Sequence, residues 1–401
     1  MEDAEQPKLS SLFALSAGTG ANAFIYGQKD NPSVQIPALE VKSAVSGHCQ
    51  ARKSVYFLKT HKCASTTVQR IFMRYGWDHG LSFVLPVARN YLGTPFPFDS
   101  RYVASFVASR DNRYDMFVLH SRLNPVEVKK VMKEGAPWVT ILREPASLFE
   151  SLWNYFDMHQ FYHVNLTFFS RAFNLNGVYR RESGIGLNQM TFDLGYQMPI
   201  QMSPEELLHS YQEKDDLFDL VMIAERFDES LILLKDLMCW STEDIAYVKL
   251  NFRSKDTSPS MPLRTKLRLR KLNYPDAILY DYFRGVFNQK VKDFGREKMR
   301  LEVQELREAN ARLFSECLSN ELEEWDVETN SRWENRNISG WKIKNYSTKC
   351  RLLVMPETTL TDVLRKRQKD WRNSGWKLDM AKWPLPSEER INEIVLRGGI
   401  L

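Results

Sequence analysis

Four short apolar runs stand out along the chain: Val55–Leu58, residues 116–119, Trp138–Leu142 and residues 220–224. Each is rich in β-branched or aromatic residues and bounded by polar ones, which predicts a strand buried on both faces. After the first run, polar residues 59–67 lead into a pattern with Val68, Ile71, Phe72 and Tyr75 on one face. This predicts a helix stopped by Gly76. The second and third runs lead into helices opened by Pro125 and Pro145; proline suits the first helical position because its missing N–H would be unpaired there. The fourth feeds a helix over residues 229–238. Strands alternating with helices predict an α/β fold with a mostly parallel central sheet flanked by helices.

The intervening segments are less regular. Residues 83–105 and 155–202 are long, aromatic-rich connections, the kind that usually serve as functional loops or lids. Ser203-Pro204-Glu205-Glu206 has the form of a capping box. Residues 276–287 and 293–314 are helical in pattern, with Met299, Val303, Leu306 and Leu313 on one stripe that suits core packing. Beyond Asn320 the chain turns polar and Trp-rich, ending in a basic helical segment over 364–371. The expected organisation is an irregular leader over 1–52, a main domain over 53–315, and a C-terminal extension over 316–401 packed on or near it.

Composition narrows the class. The chain has 401 residues, 43% hydrophobic, with 55 Lys+Arg against 50 Asp+Glu. That balance excludes a disordered or fibrous chain, and a net charge of +5 gives no reason to invoke nucleic acid. No stretch is long and apolar enough to span a bilayer; residues 12–26 come nearest and are broken by Gly18, Thr19, Gly20 and Asn22. The five cysteines (Cys49, Cys63, Cys239, Cys317, Cys350) show no zinc spacing, so no metal is expected, and an odd total leaves at least one free thiol. N-glycosylation sequons at Asn165, Asn337 and Asn345 favour a lumenal setting.

Candidate chemistry centres on residues 59–67. Lys59, His61, Lys62, Ser65, Thr66 and Thr67 lie between a buried strand and a helix N-terminus, where free N–H groups and the helix dipole suit an anion. Ala64 and Ser65 are small enough for a phosphate to approach the backbone. GxxxxGK[ST] is absent, which argues against a P-loop kinase or ATPase, and the bland alternative is a capped helix with solvated lysines. A second unit strengthens the first: Arg143 leaves the end of the third strand, and Ser151 lies two turns along the next helix. Carboxyl ends of parallel strands bind ligands, and an arginine fork with a hydroxyl can clamp a second phosphate.

The ordered set resembles the Golgi galactose 3-O-sulfotransferase family, which includes galactosylceramide sulfotransferase, within the sulfotransferases that use 3′-phosphoadenosine-5′-phosphosulfate. The resemblance is carried by residues 57–68 (Phe57-Leu58-Lys59-Thr60-His61-Lys62-Cys63-Ala64-Ser65-Thr66-Thr67-Val68), by His120 with Arg122-Leu123-Asn124, and by Leu142-Arg143-Glu144-Pro145. Residues 188–195, 224–231 and 279–283 extend it, so that it runs from residue 53 to about 290. Cys63 stands where the family usually has threonine. The resemblance implies a P-loop-like sulfotransferase fold with long acceptor loops and no metal. Its donor would be 3′-phosphoadenosine-5′-phosphosulfate, and its acceptor a galactose-terminated glycolipid or glycan. It also implies a Golgi lumenal enzyme associated with the membrane, although no anchor is visible in this chain, and leaves a homodimer open.

Sulfuryl transfer is an in-line displacement that needs positioning, charge stabilisation and a base. The expected roles are Lys62 on the sulfonate and leaving oxygen with Lys59 assisting, and Ala64, Ser65, Thr66 and Thr67 around the 5′-phosphate. Arg143 and Ser151 would hold the 3′-phosphate. His61 or His120 would be the base and the other would contact the acceptor. Trp153, Tyr155, Phe156 and Tyr162 are candidates to stack on a sugar face, with core packing as the alternative. The basic run Arg264, Lys266, Arg268, Arg270 and Lys271 reads as a solvated helix face or an anionic-glycan contact. Two rival functions remain at this level: a glycan sulfotransferase of 2-O type, and a catalytically silent glycan-binding protein.

Overall fold

The structure, a computed structural model, describes residues 49–107, 109–172, 180–197, 199–249, 252–253, 261–324 and 338–396. The chain divides into two units, Met1–His48 and Cys49–Leu401, and the described residues belong to the second. The leader up to residue 48 and the sequon asparagine Asn337 lie outside them.

The centre is a parallel sheet of β1 (Val55–Leu58), β2 (Met116–Phe117), β3 (Trp138–Leu142) and β4 (Leu220–Ile223), in the order β2-β1-β3-β4. Every strand residue but Trp138 is buried, as continuous apolar runs require when helices cover both faces. The chain leaves β1 toward β2 on one side and later enters β3 on the other. The carboxyl ends of β1 and β3 therefore flank the point where the connections diverge, the position at which open α/β sheets bind ligands.

Helix α1 (Ser65–Asp78) follows β1, α2 (Pro125–Val131) follows β2 and α3 (Pro145–Tyr155) follows β3. α1 runs through Gly76 rather than ending there. A Cβ on Gly76 would meet Phe83 Cζ at 2.4 Å, so this glycine serves close packing against a buried ring. The capping box at Ser203 forms with Glu206 and opens Pro204–Asp215. The two later helices run longer than their patterns suggest, Tyr274–Phe294 and Arg296–Cys317, with Gly295 between them at φ 94°. Met299, Leu306 and Leu313 are buried and Val303 packs against the core.

A three-stranded antiparallel sheet joins Phe252–Arg253 to Ile338–Ile343 and Leu318–Glu324, the last two bordering the polar stretch that begins near Asn320. Its sequences lack the apolar alternation that would have signalled strands. The basic segment near 364–371 is helical as expected and belongs to the helix Glu357–Asn373. Arg365, Arg367 and Gln368 are fully buried. Arg367 donates to the carbonyls of Trp77, Gly76 and Leu81, which places positive charge at the carboxyl end of α1, where the helix dipole favours it. Arg365 donates to the carbonyls of Pro86 and Arg89, and Gln368 brackets the Phe83 backbone. Disulfides join Cys49 to Cys239 and Cys317 to Cys350, leaving Cys63 as a buried thiol. No helix among the described residues is long and apolar enough to cross a membrane.

The Gly76 contact makes a direct prediction. Gly76→Val should destabilise the fold by about 1–3 kcal/mol through overpacking, read as a lower denaturation midpoint at unchanged m-value; an unshifted midpoint would refute the packing role.

Candidate active site

The loop between β1 and α1 is stitched to β3 on both sides. Thr60 Oγ1 donates to the Ile141 carbonyl at 2.5 Å, and Thr140 Oγ1 donates to the Leu58 carbonyl at 2.9 Å. Lys62 and Ala64 adopt left-handed backbone at φ 57° and 61°, a conformation that costs a non-glycine residue about 1–2 kcal/mol. Ser65 Oγ donates back to the Thr60 carbonyl at 2.5 Å and closes the loop on itself. With Ser65 so engaged, no side chain caps α1. Its start therefore presents the positive end of the helix dipole without a side-chain cap, the setting that suits an anion. The hydroxyls of Thr66 and Thr67 make no hydrogen bond among the described residues.

Two histidines meet beside this loop. The rings of His61 and His120 stack at 4.3 Å, and Tyr91, from the 83–105 connection, stacks on His120 at 4.9 Å. His61 is held by Asp193, whose two oxygens both lie 3.0 Å from Nδ1 and which also accepts the His61 backbone N–H at 2.9 Å. A carboxylate on Nδ1–H fixes the tautomer and leaves the lone pair on Nε2. His120 is oriented differently: its Nδ1–H donates to the Lys59 carbonyl at 3.1 Å, which again leaves Nε2 as the basic atom. His61 Nε2 is buried without a partner among the described residues, whereas His120 Nε2 is not so enclosed. Burial, together with the nearby Lys59 and His61, pushes the His120 imidazole well below its ordinary 6.5. It therefore stays neutral and able to accept a proton.

Asp193 ends the short helix Gln189–Asp193, which is itself pinned from below. Asp276 accepts from the Thr191 N–H at 2.8 Å, the Thr191 hydroxyl at 2.7 Å and the Met190 N–H at 3.2 Å, and burial pushes its carboxyl up to about 6. Gln189 Nε2 donates to Asp193 Oδ1 at 3.0 Å. The buried Arg122 donates to the carbonyls of Phe192 and Pro95 and lies over the Phe192 ring.

On the other flank, Arg143 Nη1 donates to the Lys62 carbonyl at 2.9 Å, which ties the ends of β1 and β3 together. Lys62 Nζ lies 3.5 Å over the Tyr155 ring, so the loop rests on the last turn of α3. Ser151 is four residues before Tyr155 and shares its helix face. The Ser151 hydroxyl makes no hydrogen bond among the described residues.

Lys59 is paired inside the fold. Its side chain is fully buried, and Nζ donates to Glu357 Oε2 at 2.5 Å, a residue contributed by the C-terminal helix. Burial pushes the Lys59 ammonium down from its ordinary value, and Glu357 pulls it part of the way back. Burial acts to raise the Glu357 carboxyl, but Lys59, Asn90 and Gln69 outweigh it and hold the group below the usual carboxylate range. The aromatic candidates also divide. Trp153 is buried against Tyr162 and Phe169, and Phe156 and Tyr162 pack against the core, whereas Tyr155 meets Lys62. In the basic run, Lys266 and Arg270 are drawn to Glu144, and Arg270 also pairs with Asp281.

A family profile described as galactose-3-O-sulfotransferase matches residues 10–368. The chain belongs to the galactose-3-O-sulfotransferase family. It is 31% identical to galactosylceramide sulfotransferase of Homo sapiens, with 86% of this chain and 87% of that protein covered. It is 31% identical to galactose-3-O-sulfotransferase 3 of Bos taurus over 81% and 80% of the two chains. Galactose-3-O-sulfotransferase 2 of Homo sapiens is 32% identical over 66% and 68%. No solved structure matches the chain.

In this family member the structure thus gathers His61, Lys62, Ala64, Ser65, Thr66, Thr67, His120 and Arg143 around the ends of β1 and β3, with Ser151 on the adjoining helix face. Sequence reasoning gave no role to Asp193, Asn90, Tyr91 or Glu357. Asp193 lies inside the 188–195 segment, 132 residues from its histidine; Glu357, 298 residues from Lys59, carries no local signal.

Two measurements follow from the histidine geometry. His61→Ala and His120→Ala should each lower sulfation at least ~100-fold, within the range for loss of a general base, and Asp193→Asn should lower kcat through the wrong His61 tautomer; near-normal turnover in both alanine variants would refute the pair. The second concerns pH. Because His120 is neutral when folded but titrates near ~6.5 when unfolded, the unfolded chain gains the proton first and stability falls as pH drops through that range. His120→Phe should therefore lose less stability than wild type between about pH 7.5 and pH 5.5, by denaturant titration.

Proposed function

We propose that this protein transfers a sulfuryl group from 3′-phosphoadenosine-5′-phosphosulfate to the 3-hydroxyl of a terminal β-galactose on a glycolipid or glycan. The observation that carries the reading is the pairing of β1 with β3. It brings an uncapped helix start with Lys62 beside Arg143 and the face bearing Ser151, next to two oriented histidines. Thr66, Thr67 and the α1 N–H groups would hold the 5′-phosphate, and Arg143 with Ser151 the 3′-phosphate. The donor supplies an activated sulfuryl group on a phosphate.

The galactose 3-hydroxyl attacks sulfur, and its proton passes to His120 Nε2 as the new S–O bond forms. The S–O bond to the 5′-phosphate breaks, and its electron pair stays on the phosphate oxygen, where Lys62 balances the growing charge. His61, fixed by Asp193, orients the acceptor beside it. The names of the relatives support galactose as the acceptor. Two disulfides and the exposed sequon asparagine Asn165 accord with an oxidising lumen, and we place the enzyme in the Golgi, associated with its membrane.

The test is incubation of the purified protein with radiolabelled sulfate donor and galactosylceramide, lactose or N-acetyllactosamine. Label should appear on the galactose 3-position; no transfer, or transfer to another hydroxyl, would refute the proposal. Lys62→Ala should lower kcat by about 10²–10³-fold. Arg143→Ala should chiefly raise the donor KM, by roughly 10- to 100-fold, as loss of a charged hydrogen bond implies.

A further inference from the structure

One carboxylate from the C-terminal helix gathers three segments behind the histidines. Glu357 Oε2 accepts from Lys59 Nζ at 2.5 Å, while Oε1 accepts from Asn90 Nδ2 at 2.7 Å and Gln69 Nε2 at 3.3 Å. Both of its stronger contacts continue to His120. The Lys59 carbonyl holds His120 Nδ1, and Tyr91, the neighbour of Asn90, stacks on the His120 ring. The backbone repeats the second link, since the Leu92 N–H donates to the His120 carbonyl at 2.8 Å. Glu357 sits in the first turn of its helix, where the dipole favours a carboxylate.

We propose that Glu357 is a positioning residue for His120, reaching it from one side through Lys59 and from the other through Asn90 and Tyr91. Lys59 then acts as the anchor of the strand end and not as a second charge on the sulfuryl group. A fully buried ammonium needs a counter-charge, and removing one partner of such a pair leaves the other uncompensated. The anchor and the ring it orients thus shift together. The donor side of the site, built from Arg143, Thr66 and Thr67, shares none of these contacts.

The inference rests on the sulfotransferase reading above, and the test separates the two. Wild type, Glu357→Gln, Lys59→Met and the double variant are assayed with sulfate donor and a galactose acceptor, alongside melting temperature. Glu357→Gln should lower kcat about 10- to 100-fold, the cost of misplacing a reacting group by a fraction of an ångström to an ångström. The donor KM should stay within about 3-fold, since uniform binding is untouched. The double variant should lose no more than the worse single one, because both break one contact.

Arg367→Met, on the same helix but bonded to the end of α1, is the stability control: its melting temperature should fall while kcat holds. Asn90→Ala keeps the ion pair and cuts only the Tyr91 arm; it should lower kcat at unchanged donor KM, and it serves if Glu357→Gln does not fold. An inactive wild type would refute the sulfotransferase reading itself. An active wild type would instead overturn this inference if either variant kept its kcat, if donor KM rose as much as kcat fell, or if the Lys59 and Glu357 effects simply added.

Discussion

The arrangement depends on the parallel pairing of β1 with β3. Tyr56 lies opposite Trp138 and Leu58 opposite Thr140, and beyond Leu58 two threonine hydroxyls continue the ladder where backbone pairing stops. This stitching allows the loop to hold Lys62 and Ala64 in left-handed backbone without glycine. The cost of those conformations is met by bonds that over-determine the loop: Thr60 to Ile141, Ser65 to Thr60 and Arg143 to Lys62. A glycine-rich loop would reach the same shape with less strain but also less rigidity.

The second constraint is the burial of polar and charged groups. Lys59, His61, Asp193 and Asp276 are all nearly or wholly enclosed, and an unpaired charge in such surroundings is expensive. Each is answered by a partner: Glu357 for Lys59, Asp193 for His61, and the Met190–Thr191 backbone for Asp276. These pairings also fix geometry, because each partner comes from a distant segment. The C-terminal helix contributes one, and the long 155–202 connection contributes Asp193. The candidate site is therefore assembled from the sheet, two connections and the C-terminal part of the chain, and its order depends on all of them being docked.

Much of this was legible in the residues. The four strands announced themselves as apolar runs, with β1 and β3 matching their predicted bounds. The prolines of α2 and α3 and the capping box at Ser203 formed as local rules require. The loop after β1 and Arg143 after β3 were visible as charge placed at strand ends. Local signals failed where a distant contact overrode them. Gly76 has the form of a helix stop but yields to the Phe83 ring, and the basic helical stretch around Arg365 and Arg367 carries no local sign that its arginines are buried on backbone carbonyls. Trp153 stood between sugar platform and core in the sequence, and packing made it core.

The sequence alone determined the α/β class and the clustering of lysines, histidines and hydroxyls at the strand ends, because strand periodicity, helix starts and residue chemistry are local properties. Tertiary structure alone decided which cysteines pair, that Asp193 orients His61 and that Glu357 neutralises Lys59. Those partners are separated by 132 and 298 residues. No spacing rule links side chains that far apart; only the folding of the connections and the C-terminal helix against the sheet brings them within hydrogen-bond reach.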